Sequence, residues 1–127
     1  MCRHSRLLNI ARKLCKERST LMRFPLVSLA VKGSKILSVG YNEFGTHPMA
    51  SKTRQISIHS EMDAIRRLGY NENERLTLYV YRHRRIGAGL AKPCIACMEL
   101  IKKSKISKVV YSNSSEDESI NFSVINV

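Results

Sequence analysis

Two short clusters carry side chains suited to chemistry, His59-Ser60-Glu61 and Pro93-Cys94-Ile95-Ala96-Cys97. Residues three apart on a helix share a face, so Cys94 and Cys97 can turn both sulfurs toward one ion. A helix start favours the thiolate form that binds metal, because its unpaired amides and partial positive charge stabilise an anion. Pro93 suits that place, since the first turn has no use for the N–H that proline lacks. With His59 the donor set is one imidazole and two thiolates, one ligand short of the four that zinc prefers. Three protein ligands with an open fourth position is how a catalytic zinc is built. Bound zinc lowers the pKa of water from about 15.7 to roughly 7. Glu61, two residues beyond His59, is then placed to carry the proton that water loses and return it to a leaving group.

Plainer readings of the same residues exist. A Cys-x-x-Cys pair alone is also a redox dithiol, but that leaves His59-Ser60-Glu61 and the proline before Cys94 unexplained. A structural zinc site needs a fourth protein ligand, with His47, His83, Cys2 and Cys15 as candidates. His47 and His83 fall in polar loop contexts, Cys2 is terminal, and Cys15 lies on an apolar helical stripe as a core residue would. Glu61 alone would be a first-turn carboxylate stabilising its helix; its place beside His59 makes it the proton carrier. A zinc-bound interaction module without catalysis is a third class that this ligand set admits.

The elements that must position these groups follow from hydrophobic spacing. Leu7, Leu8, Ile10, Ala11, Leu14 and Cys15 recur at helical intervals among Arg6, Arg12, Lys13 and Lys16, which predicts a helix over residues 5–19, its apolar stripe packed on a sheet. Two strands, 26–31 and 35–41, flank Lys32-Gly33-Ser34 and read as a hairpin. Residues 43–57, with Gly45 and Pro48, read as a loop. A helix over 59–68 carries Met62, Ala64, Ile65 and Leu68 inward, and Gly69 is its stop. A strand over 76–81 leads into a basic loop, 82–92, holding Gly87 and Gly89. Pro93 opens a helix to about residue 104, and 106–111 is a further strand. The tail, 120–125, reads as one more strand. Only eight residues separate Tyr111 from Ile120, and a parallel crossover needs about a dozen. Beside its predecessor, this strand must run antiparallel. There are no repeats and no linker, so residues 1–127 read as a single α/β domain with helices covering a central sheet.

Composition narrows the partners. The 127 residues carry a net charge of +12. Residues 1–20 hold six basic residues against one acidic, and residues 82–108 hold eight against one. That surplus favours a polyanionic partner, either a phosphorylated small substrate or nucleic acid, beside the reading of a solubilising surface. No apolar run approaches the roughly 20 residues that span a bilayer, and the start lacks a signal-peptide core. A cytoplasmic protein without a membrane partner is expected. Four cysteines are too few and too unevenly spaced for a disulfide scaffold.

Over residues 5–112 the chain resembles the cytidine/deoxycytidylate deaminase superfamily. The resemblance rests on the starting helix, the strand end Gly40-Tyr41-Asn42, His59-Ser60-Glu61, and Pro93-Cys94-Ile95-Ala96-Cys97 followed by helix and strand. The His-x-Glu and Pro-Cys-x-x-Cys pair is the signature of zinc-dependent nucleobase deaminases. The resemblance implies a three-layer α/β/α sandwich around a five-stranded mixed sheet, and a Zn²⁺ held by His59, Cys94 and Cys97 with Glu61 as catalyst. It further implies that Asn42 hydrogen-bonds the sugar or base, that the Ser60 N–H meets the base carbonyl, and that the Lys92 carbonyl accepts from the amine. Two features depart from the pattern. Ser60 stands where alanine is commoner, and the short tail has no room for the helix preceding the last strand in deoxycytidylate and tRNA deaminases. An antiparallel last strand would resemble the cytidine deaminase branch.

The reaction expected is hydrolysis of a cytosine-type base, in a nucleoside or nucleotide, to the uracil form. The alternative is editing of cytosine or adenine within RNA or single-stranded DNA. Arg82, Arg84 and Arg85 lie in the loop running into Pro93 and are expected to bind substrate phosphate. One phosphate needs fewer cations than +12 provides, yet aromatics are only 6 %, and strand-binding surfaces draw on them for stacking. A small nucleotide is therefore favoured. A homo-oligomer is compatible with this reading.

Overall fold

The computed structural model describes residues 2–18, 25–45, 56–68, 75–84, 87–117 and 119–127. The apolar stripe of the first helix, α1 (Arg3–Arg18), buries Leu7, Leu8, Ala11 and Cys15, and Lys16 and Arg18 in its last turn complement the helix dipole. The hairpin follows as β1 (Leu26–Lys32) and β2 (Lys35–Tyr41), closed by Lys32 opposite Lys35. Its turn residue Gly33 has φ +63°, a left-handed conformation that glycine adopts without penalty.

Two short strands then pair antiparallel, β3 (Glu43–Gly45) with β4 (Ile56–Ile58). They replace both ends of the loop expected over 43–57; Ile56 and Ile58 are β-branched and suit a strand. His47, Pro48 and Gly69 lie outside the described residues. The remaining elements are α2 (Ser60–Leu68), β5 (Leu76–His83), β6 (Ala88–Gly89), α3 (Ile95–Lys103), β7 (Ile106–Ser112) and β8 (Phe122–Asn126).

The main sheet has the order β2-β1-β5-β7-β8, parallel only between β5 and β7. It is the expected five-stranded mixed sheet, with the two-residue β6 added against the end of β5. The last strand is antiparallel to β7, with Val109 opposite Ile125. β6 corrects the expectation of an unstructured basic loop over 82–92: Arg82 pairs with Gly89 and His83 with Ala88. The fit is close there, since a Cβ on Gly89 would stand 3.0 Å from Arg82 Cδ and 3.0 Å from Arg84 Cγ, and those side chains would have to give way to it.

Strand residues alternate between the two faces. Val27, Leu29, Val31, Tyr79, Tyr81 and Val110 form one core with α1. Ala30, Leu78, Val80 and Val109 form the other with Ala64 of α2 and Ile101 of α3. The result is the three-layer sandwich, α1 on one side and α2 with α3 on the other. In β7, Leu76 pairs with Ile106 but Thr77 with Lys108, so Ser107 is an inserted bulge residue that lets Ile106 and Val109 face the same core. No helix among the described residues is long and apolar enough to cross a membrane.

Candidate active site

Both chemical clusters sit at helix starts on the same side of the sheet. His59 immediately precedes α2, and its carbonyl accepts from Asp63 N–H at 3.0 Å. Two contacts tie α2 to β2: Ser38 Oγ donates to Ala64 O at 2.8 Å, and Tyr41 N–H donates to Asp63 Oδ2 at 3.0 Å. Cys94 caps α3 in an extended conformation, φ −70° and ψ 170°. Its carbonyl accepts from Met98 N–H at 2.8 Å. The helix therefore begins at Ile95, two residues later than Pro93. Cys97 lies one turn in, fully buried, while Cys94 is exposed.

This packing brings His59 Nδ1 to 3.3 Å from Cys97 Sγ and 3.8 Å from Cys94 Sγ. The three ligand atoms lie within 4.8 Å of one another. A tetrahedral zinc with Zn–S of about 2.3 Å and Zn–N of about 2.0–2.1 Å requires N···S separations of about 3.6 Å. The observed pair of distances brackets that value. Burial foremost, then the charge of Glu61 and the neighbouring Cys94, push the Cys97 thiol up. A buried thiol beside a carboxylate is costly to ionise unless a cation shares the site, and soft thiolates with imidazole suit zinc. The donor set fits Zn²⁺.

No fourth protein ligand joins the cluster among the described residues. Cys15 is under α1, its Sγ facing the carbonyls of Pro25 and Tyr81, and burial pushes its thiol up to about 12 against the opposing pull of Arg18. Cys2 is exposed at the start of α1. His83 lines a different cavity, where burial first and then Lys16 and Arg12 hold its imidazole below the usual range.

Glu61 is in the first turn of α2, only 6 % exposed. Ser60 Oγ–H donates to its Oε1 at 2.8 Å. Beside the ligands lies a cavity of about 220 Å³, lined by Asn42, His59, Ser60, Glu61, Arg82, Lys92 and Cys94. Most residues singled out in the sequence thus share one wall. Asn42 is buried, and its Oδ1 accepts from Leu26 N–H at 2.8 Å. Lys92 is exposed at the rim.

Arg84 is placed elsewhere. Its Nε donates to Ala88 O at 3.1 Å and its Nη2 to Ser115 O at 2.7 Å, and it lines the second cavity with Arg12, Lys16 and His83. Arg85 lies outside the described residues. Leu26, Leu90 and Ala91 complete the first cavity's lining and were not singled out in the sequence. Leu26 arrives there by strand pairing with Arg82, which no local pattern announces.

The chain matches, over residues 1–113, the family described as the cytidine and deoxycytidylate deaminase zinc-binding region. The fold is similar to solved structures. A dCMP deaminase from the cyanophage S-TIM5, in apo form, is 20 % identical with a TM-score of 0.54, over 87 % of this chain and 86 % of that one. The same phage enzyme in complex with dCMP and dUMP gives 18 % identity and a TM-score of 0.57, over 86 % and 79 %. Acinetobacter baumannii RibD is 21 % identical with a TM-score of 0.52, over 87 % of this chain but 28 % of its own length. No curated protein matches the chain.

Proposed function

The chain belongs to the cytidine and deoxycytidylate deaminase zinc-binding family, and from that premise we propose that it hydrolyses the exocyclic amine of cytosine in a nucleoside or nucleotide, releasing ammonia and the uracil form. The observation that carries this reading is the convergence of His59, Cys94 and Cys97 beside a cavity that His59, Cys94 and Glu61 line. A similar fold in the phage enzyme solved with dCMP and dUMP supports a mononucleotide as the substrate class.

Zn²⁺ held by His59, Cys94 and Cys97 supplies the Lewis acidity that makes water a competent nucleophile at neutral pH. Glu61 takes the proton that this water gives up and delivers one to the departing amine, so one carboxylate serves both halves of the reaction. Ser60 N–H, a first-turn amide that α2 leaves without an intrahelical partner, donates to the base carbonyl. Asn42 binds the sugar or base, the Lys92 carbonyl accepts from the amine, and Arg82 takes the phosphate. The cavity, about 220 Å³, is smaller than the roughly 300–1,000 Å³ of drug-sized ligand sites. It suits a single base. Among its described lining residues there is no Phe, Tyr or Trp, whereas a strand-binding channel draws on such rings for stacking.

The test is a product screen. Zinc-loaded protein is incubated with cytidine, deoxycytidine, their monophosphates, the adenine and guanine counterparts, and short oligonucleotides, and products are read by mass. Turnover of a cytosine nucleoside or mononucleotide is expected. Product from oligonucleotides alone would overturn the small-substrate reading.

A further inference from the structure

A chain of three buried polar groups ends on Glu61. Ser28 and Ser60 are wholly buried, and Glu61 nearly so. Ser28 Oγ lies 2.8 Å from Ser60 Oγ, and Ser60 Oγ lies 2.8 Å from Glu61 Oε1. Each hydroxyl has a single proton. A carboxylate can only accept, so the Ser60 proton goes to Glu61, and Ser28 must be the donor in the serine–serine contact. The direction is thus set along the whole chain. Ser28 belongs to a central strand, flanked by Gly40 in β2 and Val80 in β5. It points from the sheet toward α2, on the face that its neighbour Ala30 lines with carbon. A hydroxyl so placed has to be satisfied, and Ser60 satisfies it.

We propose that Ser60, its hydroxyl oriented by Ser28, is a positioning residue that fixes the Glu61 carboxylate by Oε1 and reserves Oε2 for proton transfer. The proposal rests on the deaminase reading for what Glu61 does, and on geometry alone for how it is held. Rotation of a carboxylate about its last bond exchanges the two oxygens, and that torsion is broad and soft. A hydrogen bond to Oε1 from a rigid donor removes this freedom. The donor is rigid because its own oxygen is engaged from the sheet. The reacting oxygen then stays at the metal side without reorganising at each turnover.

The experiment compares the zinc-loaded parent with Ser60→Ala, Ser28→Ala and the double variant. Ser60→Ala should keep zinc, change KM by less than twofold and lower kcat by about tenfold, the scale of one hydrogen bond to a charged group. Ser60→Ala alone also strands the buried Ser28 hydroxyl and should lower stability. Replacing both partners by carbon should recover most of that stability. If the serines are merely structural, the double variant recovers activity as well; if Ser60 positions Glu61, kcat stays low while stability returns. Recovered kcat overturns the proposal. Crystal structures of zinc-loaded parent and Ser60→Ala give a readout that needs no substrate. Glu61 should hold one orientation with Oε1 on Ser60 in the parent, and rotate or split in the variant. An unchanged carboxylate overturns the proposal even if no cytosine substrate is ever turned over, an outcome that would defeat only the function proposed above.

Discussion

Gly40 and Ser60 touch through their backbones: a Cβ on Gly40 would stand 2.2 Å from the Ser60 carbonyl oxygen and 2.3 Å from Ala64 N. The edge strand β2 therefore lies directly on the first turn of α2, the turn that carries Glu61 and follows His59. Backbone atoms cannot swing aside as a flexible side chain would. Gly40→Ala must push α2 off the sheet, and His59 moves with it. It should cost at least about 1–3 kcal/mol of stability, as overpacking does, and zinc stoichiometry should fall. Gly33→Ala is the control. Nothing lies within 4 Å of its Cβ, and its φ is +63°, so it should cost about 1 kcal/mol through backbone strain alone and leave zinc content intact. Equal zinc loss in both variants would show that the contact does not position the ligand.

Metal binding and folding should be linked. Cys97 is fully buried in the first turn of α3, so its removal takes away a ligand and a packed group together. Zinc binding free energy is partly folding free energy. Cys97→Ala should lose zinc and lower the thermal midpoint, and a strong chelator should bring the parent's midpoint down toward that of the variant. A chelated parent as stable as the loaded one would mean that the site forms without help from the ion.

Glu61→Gln separates shape from proton transfer. The amide oxygen can still accept from Ser60, so zinc content and fold should be retained. Positioned acid–base groups contribute roughly 10²–10⁴-fold, and kcat should fall at least that far. Activity within a few-fold of the parent would assign Glu61 to helix stabilisation.

Much of this arrangement was legible in the residues, and the exceptions have physical causes. α1 and the β1–β2 hairpin are long enough for their periods to declare themselves, and Cys94, Cys97 and His59 are legible because helix geometry turns spacing into a shared direction. β3 and β4 are three residues each, too short for alternation to be told from a loop. β6 is shorter still and exists only through its pairing with β5. Arg82 and Arg84 look equivalent in sequence, but Arg82 is inside β5, where alternation fixes its face. Arg84 follows the strand end at His83, and two carbonyls capture its guanidinium.

Asp63 should make stability depend on acid pH. Burial raises its pKa, but Tyr41 N–H, Arg67 and Arg66 outweigh that and hold the carboxyl below its usual range. A group held low in the folded state binds more protons when unfolded. Its contribution is complete above the unfolded value and is lost as pH falls through the folded one. Asp63→Asn should therefore be less stable than the parent near neutral pH, and the gap should close on acidification below about pH 4. Arg66 and Arg67 are 69 % and 54 % exposed, so replacing either should cost only about 0.2–1 kcal/mol. A gap that does not change with pH would place the value of Asp63 in packing instead.

Arg82 and Arg84 should part company when tested one at a time. Arg82 lines the cavity beside Glu61 and Lys92, and it is the cation proposed to meet the substrate phosphate. Arg82→Ala should raise KM strongly for the mononucleotide and leave the unphosphorylated nucleoside nearly unaffected. Arg84 instead ties Ala88 and Ser115 together. Arg84→Ala should lower stability and leave KM for both substrates alone. Salt offers an independent check. One phosphate gives a shallow dependence of KM on ionic strength, whereas a bound strand gives a log–log slope of about −0.7 per phosphate contacted. Equal loss for nucleoside and nucleotide in Arg82→Ala would mean that this side chain, packed across Gly89, holds the end of β5 in place and does not read phosphate.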